Sequence, residues 1–70
     1  MNGNLLRSYM VANGKTGADM AAACDMSYSS WINKTHGRSG FTVDEAIKIK
    51  KALSLTNRQI SDIFFTDKRD

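Results

Sequence analysis

The sequence contains no proline, one cysteine and one histidine in 70 residues. A lone cysteine forms no internal disulfide, and Cys24 with His36 gives too few ligands for a zinc site. No apolar run approaches the roughly 20 residues that a membrane-spanning helix needs, and the polar start Met1–Asn4 is unlike a signal peptide. We therefore expect a cytoplasmic protein with no metal, cofactor or membrane contact, folded as one domain over 1–70 with a flexible tail at 66–70.

Acidic residues are missing between Asp25 and Asp44, although the whole chain has ten Lys and Arg against seven Asp and Glu. Lys34, His36 and Arg38 lie inside this acid-free window. Such a window is either a solvated basic loop or a surface that faces an anion.

Capping residues and helical apolar spacing divide the chain into five predicted helices. Four Ser or Thr residues are each followed, three positions later, by a side chain suited to a helix start. They are Thr16 with Asp19, Ser27 with Ser30, Thr42 with Glu45, and Thr56 with Gln59. A first helix has apolar residues at helical spacing from Leu5 to Met10 and ends at Asn13–Gly14, a pair suited to a left-handed cap. The predicted helices cover about 4–13, 17–24, 28–35, 43–53 and 57–65.

The connection between the second and third predicted helices is very short. Because only Asp25 and Met26 separate them, the two helices cannot lie side by side and must cross steeply, as in a helix-turn-helix. The turn needs left-handed backbone angles, which Asp25 tolerates better than most residues. Small side chains at Ala21–Ala23 permit close packing. We therefore predict a helix-turn-helix over about 16–35.

Several runs follow a known order: Thr16–Ala21, then Asp25–Trp31, Gly37, Phe41–Ile47 and Ile63–Phe65. In this order and spacing the chain resembles the XRE or lambdoid-phage Cro and repressor family. That family has Thr-Gln-x-x-Leu-Ala, Gly-Val-Ser, a core aromatic or aliphatic residue and a closing Gly. Its phage-encoded variety adds Phe-Thr-x-x-Glu-Ala-Ile and Ile-Phe-Phe.

The resemblance implies an all-α, five-helix, lambda-repressor-like DNA-binding domain with the helix-turn-helix formed by helices 2 and 3. It implies a phage or prophage transcriptional regulator that occupies an operator in double-stranded DNA. Gly17 stands where the family has a phosphate-contacting Gln, so a contact there must come from the backbone amides or from Thr16. Asp25 stands where the family's turn has Gly.

Trp31 is predicted to be a core residue, which fixes the outward face of the third helix. Steps of 100° per residue place Ser29 and Asn33 opposite Trp31 and put Ile32 on a flank. Asn33 can bond bidentately to adenine, and Ile32 is either a core residue or a contact to a thymine methyl. The expected base-reading residues are Tyr28, Ser29, Ile32 and Asn33. The expected phosphate contacts are Lys15, Thr16, Gly17, Ser27, Lys34, His36 and Arg38, although each cation is alternatively a solvated surface charge.

The C-terminal apolar cluster points to a second copy of the chain. Phe64 and Phe65 project 100° apart and are hard to bury together, so a homodimer interface at Ile63, Phe64 and Phe65 is expected, at least on DNA.

Two other classes of function were weighed against a DNA-binding regulator. A protein-interaction module that binds another repressor and modulates it is the alternative. An enzyme is not expected, since one histidine in a loop has no carboxylate partner at a suggestive spacing, and Cys24 lies on the packed face of its helix. Lys48 and Lys51 are expected to pair with Asp44 on the outer face of the fourth helix.

Overall fold

The structure, a computed structural model, describes residues 1–65 and contains five helices and no strand in that range. The helices are α1 (Gly3–Ala12), α2 (Gly17–Ala23), α3 (Tyr28–Thr35), α4 (Val43–Ala52) and α5 (Asn57–Phe64). The predicted all-helical class and helix order are confirmed, and the predicted ends agree to within one residue. The tail at 66–70, expected to be flexible, lies outside the described residues. None of the helices described has the length and apolar character that crossing a membrane requires.

Each helix begins at a side-chain cap, as the sequence pattern predicts for α2 to α5. Thr16, Thr42 and Thr56 form full capping boxes, in which the side chain three residues later also accepts a hydrogen bond from the cap amide. Ser27 caps α3 through the amide of Ser30. Asn2, which the sequence analysis did not single out, caps α1. Because a cap typically contributes about 1 kcal/mol, these starts are well defined locally.

The core is apolar and is contributed by all five helices. Trp31 is 2% exposed and Cys24 is 3% exposed, which confirms both predicted core positions. Burial, and after it the charge of Glu45, raises the pKa of the Cys24 thiol above its ordinary value. The other buried side chains are Leu6, Met20, Ala21, Ile49, Leu53, Leu55 and Ile63.

Aromatic rings link the core to the C-terminal helix. The Phe41 ring lies edge-on to Trp31 and to Phe64, with ring centroids 5.5 Å apart in each pair. Phe64 is half-buried in this row, whereas Phe65 is 70% exposed. The prediction that the two adjacent aromatic residues could not both be buried is therefore confirmed, and α5 is fixed against the loop that precedes α4.

The turn between α2 and α3 has the predicted left-handed backbone at Asp25, with φ of +55°. The Asp25 carboxylate also accepts a hydrogen bond from Lys48 Nζ at 3.1 Å, which ties the turn to α4. Lys48 therefore pairs across the fold and not, as predicted, with Asp44 on its own helix. Both side chains are well exposed, so this ion pair contributes little to stability.

A second ion pair fixes the end of α3 against the start of α4. Lys34 Nζ lies 2.9 Å from Glu45 Oε1 and donates to the Gly40 carbonyl at 3.0 Å. Glu45 Oε1 also accepts from the Thr42 amide. The side chains of Lys34 and Glu45 are only 17% and 19% exposed, so solvent screens their pair less than a surface pair.

Asp25→Gly should raise the free energy of unfolding by about 0.5 kcal/mol, because glycine adopts positive φ without strain. Asp25→Ala should lower it by about 1 kcal/mol, because the Cβ strain remains and the aspartate's tolerance of this conformation is lost. Urea denaturation followed by Trp31 fluorescence measures both values. Lys48→Met is the control for the lost ion pair and should change stability by less than about 0.5 kcal/mol. If Asp25→Gly is as destabilising as Asp25→Ala, the carboxylate and not the backbone angle governs the turn.

Glu45→Gln should reduce the loss of stability in acid. The Thr42 amide and then the Lys34 ammonium hold the pKa of Glu45 below its ordinary value of 4.5. The Glu45 carboxyl therefore binds its proton less tightly in the folded state than in the unfolded state. Its ionised form stabilises the fold, and this stabilisation is complete above the ordinary pKa. It is lost as pH falls from the ordinary pKa of 4.5 through the lower pKa of the folded state.

Urea titrations at a series of pH values across this range measure the effect. The control is Asp44→Asn, which removes the same charge one residue earlier, where the carboxylate has no ion pair among residues 1–65. If both variants reduce the dependence of the free energy of unfolding on pH equally, then general charge, and not the Glu45 hydrogen bonds, causes the acid sensitivity.

Candidate nucleic-acid interface

One face of α3 is free of the core and carries polar side chains. Trp31 points inward, and Ser29 and Asn33 are exposed on the opposite side, while Tyr28 is 56% exposed. Ile32 is half-buried and packs against the core, so only part of its side chain reaches solvent. The face thus presents a hydroxyl, an amide and a phenol, which are groups able to bond to base edges.

Close packing of Gly17 against α3 brings the starts of α2 and α3 together. A Cβ added at Gly17 would lie 3.0 Å from Tyr28 Cε1 and 3.4 Å from Cδ1 and Nε1 of Trp31. A side chain at position 17 would therefore crowd the Tyr28 ring. The resemblance to the family, which has Gln at this position, did not indicate this packing. The backbone of Gly17 supports the Tyr28 ring at the edge of the exposed face.

The start of α2 already holds a negative charge. Thr16 Oγ1 accepts from the Asp19 amide at 3.1 Å, and the Thr16 amide donates to Asp19 Oδ2 at 2.9 Å. The hydrogen bonds with Thr16, its amide first, and to a smaller extent the charge of Lys15 keep the pKa of the Asp19 carboxyl below its ordinary value. Lys15 is exposed beside the cap. The Asp19 carboxylate repels an anion that approaches the start of α2. Lys15 is therefore the group there that can attract a phosphate.

The start of α3 is more favourable to an anion. Its first turn contains no acidic residue, and Ser27 Oγ is occupied in capping Ser30. The amides of Tyr28 and Ser29 precede the first intrahelical bond and carry the positive end of the helix dipole. Ser27, expected to contact phosphate, has its side-chain oxygen in the cap at the start of these two amides.

The end of α3 connects Asn33 to the basic loop. Arg38 Nη1 donates to Asn33 Oδ1 at 3.3 Å, and the Arg38 amide donates to the Asn33 carbonyl at 2.9 Å. Gly37, with φ of +79°, allows the chain to turn back between them. His36 and Arg38 are both exposed. The guanidinium therefore lies beside the exposed face, and it leaves the amide NH₂ of Asn33 without a partner from the loop.

Lys34 is placed differently from the other expected phosphate contacts. Its ammonium is held by Glu45 and the Gly40 carbonyl and lies 5.8 Å from the centre of the Phe41 ring. The structure corrects the expectation for this residue: the side chain is turned toward α4, where it joins the two helices. Lys34 is a positioning residue for the loop that carries Arg38.

Arg7 was not identified from the sequence. It lines a cleft of about 390 Å³ between α1 and α3, together with Gly17, Tyr28 and His36. Arg7 is exposed and adds a cation to this cleft alongside α3. No local motif marks it, because its place depends on how α1 packs across α3.

The expected interface at the end of α5 is changed in one respect. Ile63 is fully buried, so it completes the core and cannot lie in an interface of the folded chain. Phe64 belongs to the aromatic row, and Phe65 alone of the three is largely exposed. Of these three residues, Phe65 offers the most surface for a contact between copies.

Comparison with known proteins adds no assignment to this geometry. No protein-family model matches the chain, and no curated protein and no solved structure shows significant similarity to it.

Proposed function

We propose that this chain is a sequence-specific double-stranded DNA-binding regulator of transcription, of the phage or prophage Cro and repressor type. In this proposal α2 and α3 form the helix-turn-helix of a lambda-repressor-like domain, and α3 enters the major groove. The protein acts by occupying an operator and blocking access of the polymerase.

One observation carries the proposal: the outward face of α3 is polar, has no acidic residue and is flanked by cations. Ser29, Tyr28 and Asn33 lie along it. Lys15 precedes the start of α2, where Gly17 packs against Tyr28, and Arg38 lies beside the end of α3. A helix fits the major groove of B-DNA, and cations on either side of it meet the two phosphate backbones.

The residues divide into those that read bases and those that position the duplex. Asn33 bonds to adenine through its amide, and Ser29 and Tyr28 reach neighbouring base edges or a phosphate. The exposed edge of Ile32 meets a thymine methyl. Lys15, Arg38 and the newly found Arg7 neutralise phosphates, while the amides of Tyr28 and Ser29 bond to a phosphate at the start of α3.

In this proposal two copies of the chain bind one operator, so that two α3 helices contact bases. One eight-residue helix spans only a few base pairs, too few to select one site in a genome. Two copies related by a two-fold axis place their α3 helices in successive major grooves, about 34–36 Å apart, on a pseudo-palindrome. The exposed Phe65 is the proposed contact between the copies, so dimerisation is weak in solution and is strengthened on DNA.

Affinity for duplex DNA should fall steeply as salt rises. With Lys15, Arg38 and Arg7 each neutralising one phosphate, the slope of log affinity against log salt should be about −3 per copy. Fluorescence anisotropy on the DNA next to the protein's own gene measures this slope, and sedimentation of the complex should give two copies per site. Binding to that DNA no tighter than to random duplex, even at low salt, would overturn the proposed function.

Asn33→Ala should weaken operator binding by about 1–3 kcal/mol and remove the preference at one base pair. Lys15→Ala is the matched control, because a phosphate contact contributes equally on every sequence. It should weaken operator and random DNA alike and reduce the salt slope by about 1. Competition binding against operators with each base pair changed in turn distinguishes the two effects. If both variants lose affinity uniformly, Asn33 does not read a base.

A further inference from the structure

An open groove lies on α4 and α5, beside the loop that follows α3. Its volume is about 1360 Å³, above the roughly 300–1,000 Å³ typical of small-molecule pockets. Phe41 and Phe64 form part of its floor. Its walls carry exposed apolar side chains, namely Met1, Val43 at 77% exposure, Ile47 at 44% and Phe65 at 70%. The volume and these exposed apolar side chains together favour a macromolecular partner for the groove over a small molecule.

The charge around this groove has one sign. Lys50 and Lys51 lie along the α4 side, Arg38 lies at one end, and no acidic residue among residues 1–65 lines the groove. Within residues 1–65 the ion pairs are Lys34–Glu45 and Lys48–Asp25, so no carboxylate of this range lies within 4.0 Å of the three rim cations. Lys50 and Arg38 donate instead to the neutral side chains of Asn57 and Asn33. The rim is therefore complementary to an acidic partner, and the apolar walls require that the same partner also be apolar.

A second copy of the chain can contact Phe65 at the end of this surface, but it would fill the whole groove poorly. In a two-fold contact the same patch meets itself, so Lys50 and Lys51 of one copy would approach those of the other without an acidic residue to offset them. DNA would satisfy the cations but would leave Val43, Ile47 and Phe65 against phosphate and water. An amphipathic helix with an apolar stripe and acidic flanks satisfies both the walls and the rim.

We propose that the groove binds an acidic amphipathic helix of another protein. Val43, Ile47 and Phe65 receive its apolar stripe, and Lys50 and Lys51 bind its carboxylates. If the proposed function holds, the bound helix covers Phe65, competes with the second copy and so releases the operator. Groove binding itself does not depend on DNA.

The test is a titration of the isotope-labelled chain with two synthetic helical peptides, followed by backbone amide NMR. Each peptide has about 16 residues, about 24 Å as a helix, with leucine on one face. Its flanks carry Glu in one peptide and Lys in the other. The acidic peptide should bind at least about tenfold tighter and should shift the signals of Val43, Ile47 and Phe65. Equal affinities, or shifts confined to the exposed face of α3, would overturn the proposal.

Charge reversal separates the groove from general electrostatics. Lys51→Glu should weaken the acidic peptide by about tenfold and strengthen the basic one. Arg58→Glu makes the same change of charge on α5, outside the groove lining, and should have a much smaller effect. Circular dichroism checks that both exposed-site variants remain helical. Equal effects of the two variants would contradict a site at the groove.

Competition then tests the regulatory step without confusing it with DNA binding. The acidic peptide should release the chain from operator DNA, and sedimentation should show one chain with one peptide. If the chain binds no DNA but still takes the acidic peptide at the groove, the proposed function fails and the groove assignment stands. If neither peptide binds and Ile47→Asp turns a dimer into a monomer, a second copy occupies the groove and the proposal is wrong.

Discussion

The close contact between Gly17 and the rings of Tyr28 and Trp31 is the constraint on which the rest of the structure depends. Trp31 is the largest buried side chain, and its ring packs directly against the backbone that α2 presents at Gly17. Burial of Trp31 fixes the rotation of α3 about its own axis. That rotation decides that Ser29 and Asn33 face outward, so the core packing and the candidate DNA face are two consequences of one contact.

The lysine and arginine side chains of residues 1–65 fall into two groups, those that form ion pairs and those that do not. Lys34 and Lys48 each bind a carboxylate on a different element, and the less exposed Lys34–Glu45 pair joins α3 to α4. Lys15 precedes α2 and Arg38 follows α3, while Lys50 and Lys51 border the apolar groove. A net charge of +3 is modest, yet its placement creates two distinct basic surfaces.

These two surfaces have different chemistry, and this difference supports different partners for them. The α3 face combines cations with polar side chains and helix amides, which suits a duplex with phosphates outside and base edges inside. The groove combines cations with Val43, Ile47 and Phe65, which suits a partner that has an apolar stripe and carboxylates. Since Phe65 is the proposed contact between copies, the two sites are coupled through the state of assembly.

The sequence by itself determined the helices, because their signals are local. Capping side chains lie three residues from the amides they bind, and apolar spacing repeats within each helix, so every helix end was predicted to within one residue. The positive φ at Asp25 and the burial of Trp31 were predicted for the same reason. Tertiary packing decided the partners of long side chains: Lys34 with Glu45 and Lys48 with Asp25 are separated by 11 and 23 residues. Arg7 and the groove likewise depend on which helices meet, because a sequence pattern gives the direction of a side chain from its own helix and does not give what lies opposite.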